Sequence, residues 1–248
     1  MAISLVNFSG GGQQNGPFST VVSPAQNVAS GNTLVVGGRW IAQGCTDNAG
    51  NTYLPLGHLV GNPTSNLGEG YFFFWCPNCV GNSALQVTAA LVPTSQALDT
   101  YTEIAVWNIA SSSPLVLDQY LVGTGNSGTT MTYGPFSTRY PNTIACLIGG
   151  STANLNTTSV SAPLIQDGGT SLGGQQIAGA AHTIYTSMQS AQSLVMTTSV
   201  SGNWQIGGPI FGIANSTPIQ KRRKSVAAAA PLFTGRMYNY YITLERMF

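Results

Sequence analysis

Apolar and polar residues alternate in short runs along most of this chain, and the apolar positions are rich in Val, Ile and aromatic residues. A period of two places successive side chains on opposite faces of a strand. The pattern predicts strands over Ile3–Phe8, Phe18–Val22, Thr33–Ala42, Tyr71–Trp75, Leu85–Val92 and Thr102–Ile109. It returns over Leu115–Val122, Thr143–Ile148, Ile177–Ser187, Leu194–Val200, Gln205–Ile213 and Tyr238–Leu244. Turn-forming clusters separate these runs: Asp47–Asn51, Gly81-Asn82, Gly123–Gly128, Asp167-Gly168-Gly169 and Ser201-Gly202-Asn203. No segment keeps a helical period with caps. The one good helix-forming run, Ala227–Ala230, meets Pro231 after a single turn, too short to stand alone. Many short strands with Gly-rich turns predict an all-β fold, a sandwich or a barrel.

The chain divides into three parts on this pattern. Residues 1–30 read as an entry strand and a loop-rich arm. Residues 31–215 carry the regular strands of the core. Residues 216–248 hold Lys221, Arg222, Arg223 and Lys224, half of the 8 basic residues, together with Phe233, Tyr238, Tyr240, Tyr241 and Phe248. They read as a C-terminal arm that ends in a strand. Trp75, Trp107 and Trp204 fall inside strand runs and are expected to fill the core between sheets.

Composition narrows the function more than the fold. Only 6% of the 248 residues are charged, against roughly 25% in ordinary soluble proteins. With 43% hydrophobic residues and a net charge of +1, the chain lacks the signature of disorder. It also lacks a strong field for steering nucleic acid or acidic ligands. A surface so poor in charge favours a protein packed against neighbours. The N-terminus has neither a basic region nor an apolar stretch long enough for a secretory signal, and no run reaches the length of a membrane span. An extracellular style of composition without a signal suits a particle protein made in a host cytoplasm.

Several stretches, in order, resemble a known family. They are Gly31-Asn32-Thr33-Leu34-Val35-Val36, Thr46-Asp47-Asn48-Ala49-Gly50-Asn51-Thr52-Tyr53, the Phe72–Trp75 aromatic run and Ala84-Leu85-Gln86-Val87-Thr88. Glu103-Ile104-Ala105-Val106-Trp107 with Ser113-Pro114-Leu115, and Gly202-Asn203-Trp204 leading into Ile210-Phe211, complete the set. Together they resemble a β-sandwich domain, jelly-roll-like, of bacterial surface multidomain proteins and phage virion structural proteins. The resemblance covers about the middle three quarters of the chain. It implies an antiparallel sandwich without enzymatic activity or cofactor. Cys76-Pro77-Asn78-Cys79 and residues 216–248 depart from the pattern, so a role special to this protein is expected in the arm.

Motifs that elsewhere carry chemistry lack their context here. Gly169-Thr170-Ser171-Leu172-Gly173 has the spacing of a nucleophile elbow, but a Gly-rich loop follows rather than a helix, and His182 comes too soon for the hydrolase order. Gly123–Gly128 has dinucleotide-loop spacing, yet strand-like residues follow, so a hairpin loop is expected. Asp99 and Glu103 are the closest carboxylate pair, and solvated or structurally paired acids are the plainer reading. The Asp47 turn lacks the oxygen cluster of a good calcium site. The four cysteines, Cys45, Cys76, Cys79 and Cys146, leave three readings open: buried free thiols, a local Cys76–Cys79 disulfide, or zinc. Lys221–Lys224 without basic support elsewhere is a weak nucleic-acid footprint. Tyr53, Tyr71, Tyr101, Tyr120, Tyr133, Tyr140 and Tyr185 are candidates for stacking on sugars or for an interface.

The expectation is a non-enzymatic structural subunit of a phage-like particle: a capsid, capsid-decorating or tail-associated protein. Its partners would be copies of itself and other particle proteins, and neither nucleic acid nor membrane. The alternative is a carbohydrate-binding or adhesive module at a cell surface, with a glycan as partner.

Overall fold

A computed structural model describes residues 2–14, 19–39, 42–58, 71–91, 101–125, 127–151, 158–168, 178–199 and 201–213. The chain divides after Pro218 into two units, and every described residue lies in the first. The regular structure of the described residues is all β. The first ten strands are β1 (Ile3–Gln14), β2 (Thr20–Val22), β3 (Gln26–Val28), β4 (Thr33–Arg39), β5 (Ala42–Asp47), β6 (Leu54–His58), β7 (Tyr71–Cys76), β8 (Asn82–Leu85), β9 (Val87–Leu91) and β10 (Tyr101–Ser111). The remaining eight are β11 (Leu115–Gly125), β12 (Thr130–Phe136), β13 (Thr143–Ser151), β14 (Thr158–Val160), β15 (Ile165–Gly168), β16 (Ala178–Tyr185), β17 (Gln192–Thr198) and β18 (Trp204–Ile213).

Neighbouring strands pair antiparallel in five sheets. Strands up to β10 form β1-β10-β4-β7-β6, β2-β9-β5 and the short pair β3-β8. Strands from β11 form β11-β18-β13-β16-β15 and β12-β17-β14. Strict alternation sends side chains of each large sheet into two cores. Leu34 and Val36 of β4 pack with Val21, Val87 and Ala89 of the small sheet. Val35 packs the other way, with Phe73 and Trp107 against Ile144, Cys146 and Phe211 of the second large sheet. Ala145 and Leu147 then face Met131, Tyr133 and Leu194. The result is four layers with three apolar cores between them, two sandwiches set back to back through their larger sheets.

The two sandwiches are copies of one plan. Taking β2 with β3, and β8 with β9, as single broken strands, each half has eight strands in the orders 1-8-3-6-5 and 2-7-4. The irregularities coincide as well. The register of β1 on β10 shifts between Leu5 and Asn7, and that of β11 on β18 between Leu117 and Gln119. The register of β6 on β7 shifts between Pro55 and Gly57, and that of β15 on β16 between Gln166 and Gly168.

Several sequence expectations change. The run expected as one strand over Thr33–Ala42 splits into β4 and β5, which belong to different sheets. The run expected over Leu85–Val92 breaks at Gln86, opposite Pro24, which has no N–H to give a ladder. Residues 1–30, expected as an entry strand and arm, supply β1, β2 and β3, all paired within the first unit. The glycines at 10–12 do not end β1. A Cβ on Gly11 would lie 2.8 Å from the Pro24 ring, so glycine permits a close approach there. Asp167-Gly168, expected in a turn, are strand residues at a bulge. Gly123–Gly125, expected in a hairpin loop, are the last residues of β11, and β12 belongs to a different sheet, so the two strands do not form a hairpin. The expected strand Tyr238–Leu244, the Ala227–Ala230 turn and the arm 216–248 lie outside the described residues.

Candidate functional site

The most concentrated polar chemistry among the described residues sits where the two large sheets face each other. At the β15 bulge Asp167 is the extra residue between Gln166 and Gly168. A bulge re-aims its side chain, and this carboxylate meets His182 of β16 and Trp107 of β10. Nδ1 of His182 donates to Asp167 Oδ1 at 2.7 Å, and Trp107 Nε1 donates to Oδ2 at 2.8 Å. The His182 and Asp167 side chains are 8% and 5% exposed, and Trp107 is fully buried. Cys146 pairs with His182 across β13 and β16, which assembles the residue types of a Cys–His–Asp constellation. It does not form a working one. Burial pushes the Cys146 thiol well above its usual range, with the Asp167 charge adding to the effect. A protonated sulfur sealed from solvent is no nucleophile. The arrangement gives an indole N–H, an imidazole and a carboxylate the partners that burial demands.

The second concentration is the Asp47 turn. Oδ1 of Asp47 accepts from the amides of Ala49 (2.9 Å) and Asn51 (3.0 Å), and Oδ2 from Asn51 Nδ2 (2.8 Å) and Tyr53 Oη (2.7 Å). Burial alone would raise this carboxyl, but the hydrogen bonds from Asn51, Tyr53 and Ala49 outweigh it and hold the group below its ordinary value. With both oxygens taken by protein donors, the turn is a structural clasp rather than a calcium loop. Asn51 extends the clasp. Its Oδ1 accepts from the Val80 amide at 2.6 Å and its Nδ2 donates to Val80 O at 3.1 Å, tying the turn to the Cys76–Cys79 segment. An open recess of about 350 Å³ lies between the two, bordered by Asn51, Thr52, Leu54, Pro77 and Asn78.

All four cysteines are free thiols. Burial first, and then the charges of Cys79 and Asp47, push Cys76 up to about 11. Burial and Asp47 raise Cys45 and Cys79 as well. These thiols stay protonated and inert near neutral pH. Among the described residues no three His, Cys, Asp or Glu side chains come together in a way that could hold a metal ion.

A third carboxylate, Asp118, is buried at the β11 bulge. It accepts from the Arg139 amide (3.0 Å) and from Arg139 Nε (2.5 Å), pinning the loop after β12 to β11. The guanidinium itself is mostly exposed.

The residues singled out in the sequence are scattered. Trp107 is in the central core, Trp75 is half-buried against that core with its ring 5.0 Å from Phe211, and Trp204 is half-buried against the outer core of the second half. Tyr53, Tyr71, Tyr133 and Tyr185 are buried, and Tyr120 and Tyr140 half-buried, so none of these six is an open stacking platform; the Tyr101 side chain lies outside what the structure describes. Lys221, Arg222, Arg223, Lys224, Phe233, Tyr238, Tyr240, Tyr241 and Phe248 lie outside the described residues, as do Asp99 and Gly169–Gly173. Sequence reasoning missed Asp167. Its one signal was a lone histidine, His182, inside an apolar strand run, which asks for a buried partner. No family model, no curated protein and no solved structure matches the chain.

Proposed function

We propose that this protein is a non-enzymatic structural subunit of a phage-like particle, a capsid, capsid-decorating or tail-associated component that assembles with copies of itself. The strand order of each half is taken as a jelly roll whose fifth strand has moved onto the larger sheet. One observation carries the proposal. Asp47, Asp118 and Asp167 are consumed in holding the fold together, while six of the eight basic residues, Lys221, Arg222, Arg223, Lys224, Arg236 and Arg246, lie in the last stretch of chain. Six of the seven acidic residues precede it. A body of one sign and a tail of the other attract in trans between copies, and nearly neutral faces lose little solvation when they meet. Assembly is assigned to these faces and to residues 216–248. Residues 3–14 pair with β10 as part of the body, so they do not act as a free arm.

Light scattering and electron microscopy of the full chain and of a form lacking residues 216–248 test the proposal. The full chain is expected to form regular oligomers that loosen as salt screens the tail. The shortened form is expected to stay monomeric while still melting cooperatively. Normal assembly of the shortened form rejects the role of the tail. A full chain that remains monomeric and shifts on glycans instead supports an adhesive module, for which the open recess beside Asn78 is the observation in favour.

A further inference from the structure

The two halves do more than repeat. Carrying the paired registers across equates Leu56 with Asp167, Trp75 with His182, Trp107 with Pro209, Gly37 with Ile148 and Phe73 with Ala180. A Cβ on Gly37 would lie 2.6 Å from Ile148 Cδ1. Two residues that are equivalent and also touch must sit on the pseudo-twofold axis relating the halves. The central core is therefore an isologous interface made within one chain, and it is made unlike at each of these positions.

We infer that each inner face is a docking surface selective for the opposite half, through a polar lock (Trp107, Asp167, His182) and a packing lock (Gly37 against Ile148). Consider the two like pairings this geometry could form. Two first halves would set the Trp107 N–H opposite Leu56, an apolar side chain that cannot accept it, and glycine opposite glycine on the axis. Two second halves would set the Asp167 carboxylate opposite Pro209, with no donor to offer, and drive Ile148 into Ile148. Each like pairing orphans a buried polar group and leaves either a void or a clash. The unlike pairing does neither. Large and small also trade places beside the axis: Gly37 neighbours Phe73 on β7, whereas Ile148 neighbours Ala180 on β16. The partner that fits either face is thus the opposite half, from the same copy or exchanged with another.

The connection from β10 to β11 passes through Ser112 and Pro114, both exposed. A protease site inserted there lets the folded full chain be cut once between halves. After cutting, unfolding and refolding, native mass spectrometry counts the pairs. The expected result is one first half with one second half and no like pairs. Like pairs in statistical proportion, or fragments that drift apart, overturn the inference. A second measurement uses the uncut chain. Trp107→Phe is expected to lower the denaturant midpoint in the native background, because it strands one oxygen of Asp167. In the Asp167→Leu/His182→Trp background, which copies the first half's pair, it is expected to leave the midpoint unchanged or raise it. An equal loss in both backgrounds removes the polar lock.

Discussion

The first and second halves share strand order, strand pairing and two register shifts, yet almost none of their polar chemistry. In the first half the polar work is at one end. Asp47 and Asn51 clasp the loop after β5, and Asn48 ties it to the Gln86 break by accepting from the Gln86 amide and donating to Ala84 O. In the second half the polar work is at the bulges, Asp118 on β11 and Asp167 on β15. The bulge residue equivalent to Asp118 is Val6, which is exposed, and the one equivalent to Asp167 is Leu56, which is half-buried. Alternation of apolar residues therefore suffices for the common topology. Polar groups are added where a particular loop, or the junction of the halves, needs them.

The largest effect is expected where the halves differ in backbone approach. Gly208 of β18 is equivalent to Val106 of β10. A Cβ on Gly208 would lie 1.9 Å from the Cys146 carbonyl oxygen, and the Gly208 carbonyl accepts from Tyr133 Oη at 2.9 Å. Ladder pairing of β18 with β13 lapses between Ala145 and Ile148 at this point. No side chain can yield, because the obstacle is main chain. Gly208→Ala is expected to remove about 4 kcal/mol or more, seen as loss of the cooperative melt. Val106→Ala in the other half is expected to cost about 2 kcal/mol as an ordinary buried truncation. Equal effects would show that the close approach is not a constraint.

The Asp47 clasp comes next. Its folded carboxyl titrates below the unfolded value, so its contribution is complete above the unfolded value of about 4 and is lost as pH falls through the folded one. Asp47→Asn is expected to cost about 1–3 kcal/mol near neutral pH, since the hydrogen bonds to a charged acceptor are lost. Urea titrations of the variant and the parent should converge as the pH drops below the unfolded value and through the folded one. A gap that stays constant down to acid pH would mean that the carboxylate's charge does not matter to the turn.

The alternation made most strands legible from sequence, and the Asp47–Asn51 turn was legible because each of its residue types suits its place. The breaks were not legible. The one break signal in Thr33–Ala42, Gly37-Gly38, stays inside β4, and what sends β5 to another sheet is tertiary. The duplication was hidden because the halves match in burial rather than in identity: Leu34-Val35-Val36-Gly37 stands opposite Ala145-Cys146-Leu147-Ile148. The like dipeptides Asn32-Thr33 and Asn142-Thr143, and Gly37-Gly38 and Gly149-Gly150, each fall one place out of this register, and in opposite directions. Asp167 escaped because Asp-Gly-Gly is a strong turn signal, and only the pairing with β16 turns it into a bulge.

The smallest effect on folding is expected at an exposed apolar position that the halves share. Leu54 on β6 and Ile165 on β15 are equivalent by register, and they are 44% and 58% exposed. Both sit on edge strands, whose free N–H and C=O groups can take another strand. Neither side chain lies in the three cores, so Leu54→Thr and Ile165→Thr should each change the unfolding free energy by no more than about 0.5 kcal/mol. If copies join edge to edge, the same two substitutions should shift the oligomer distribution towards smaller species, and together more than singly, because the pseudo-twofold axis presents both edges alike. Unchanged oligomers alongside unchanged stability would move the assembly surface away from β6 and β15, and would leave the repeated exposure as a by-product of the shared plan.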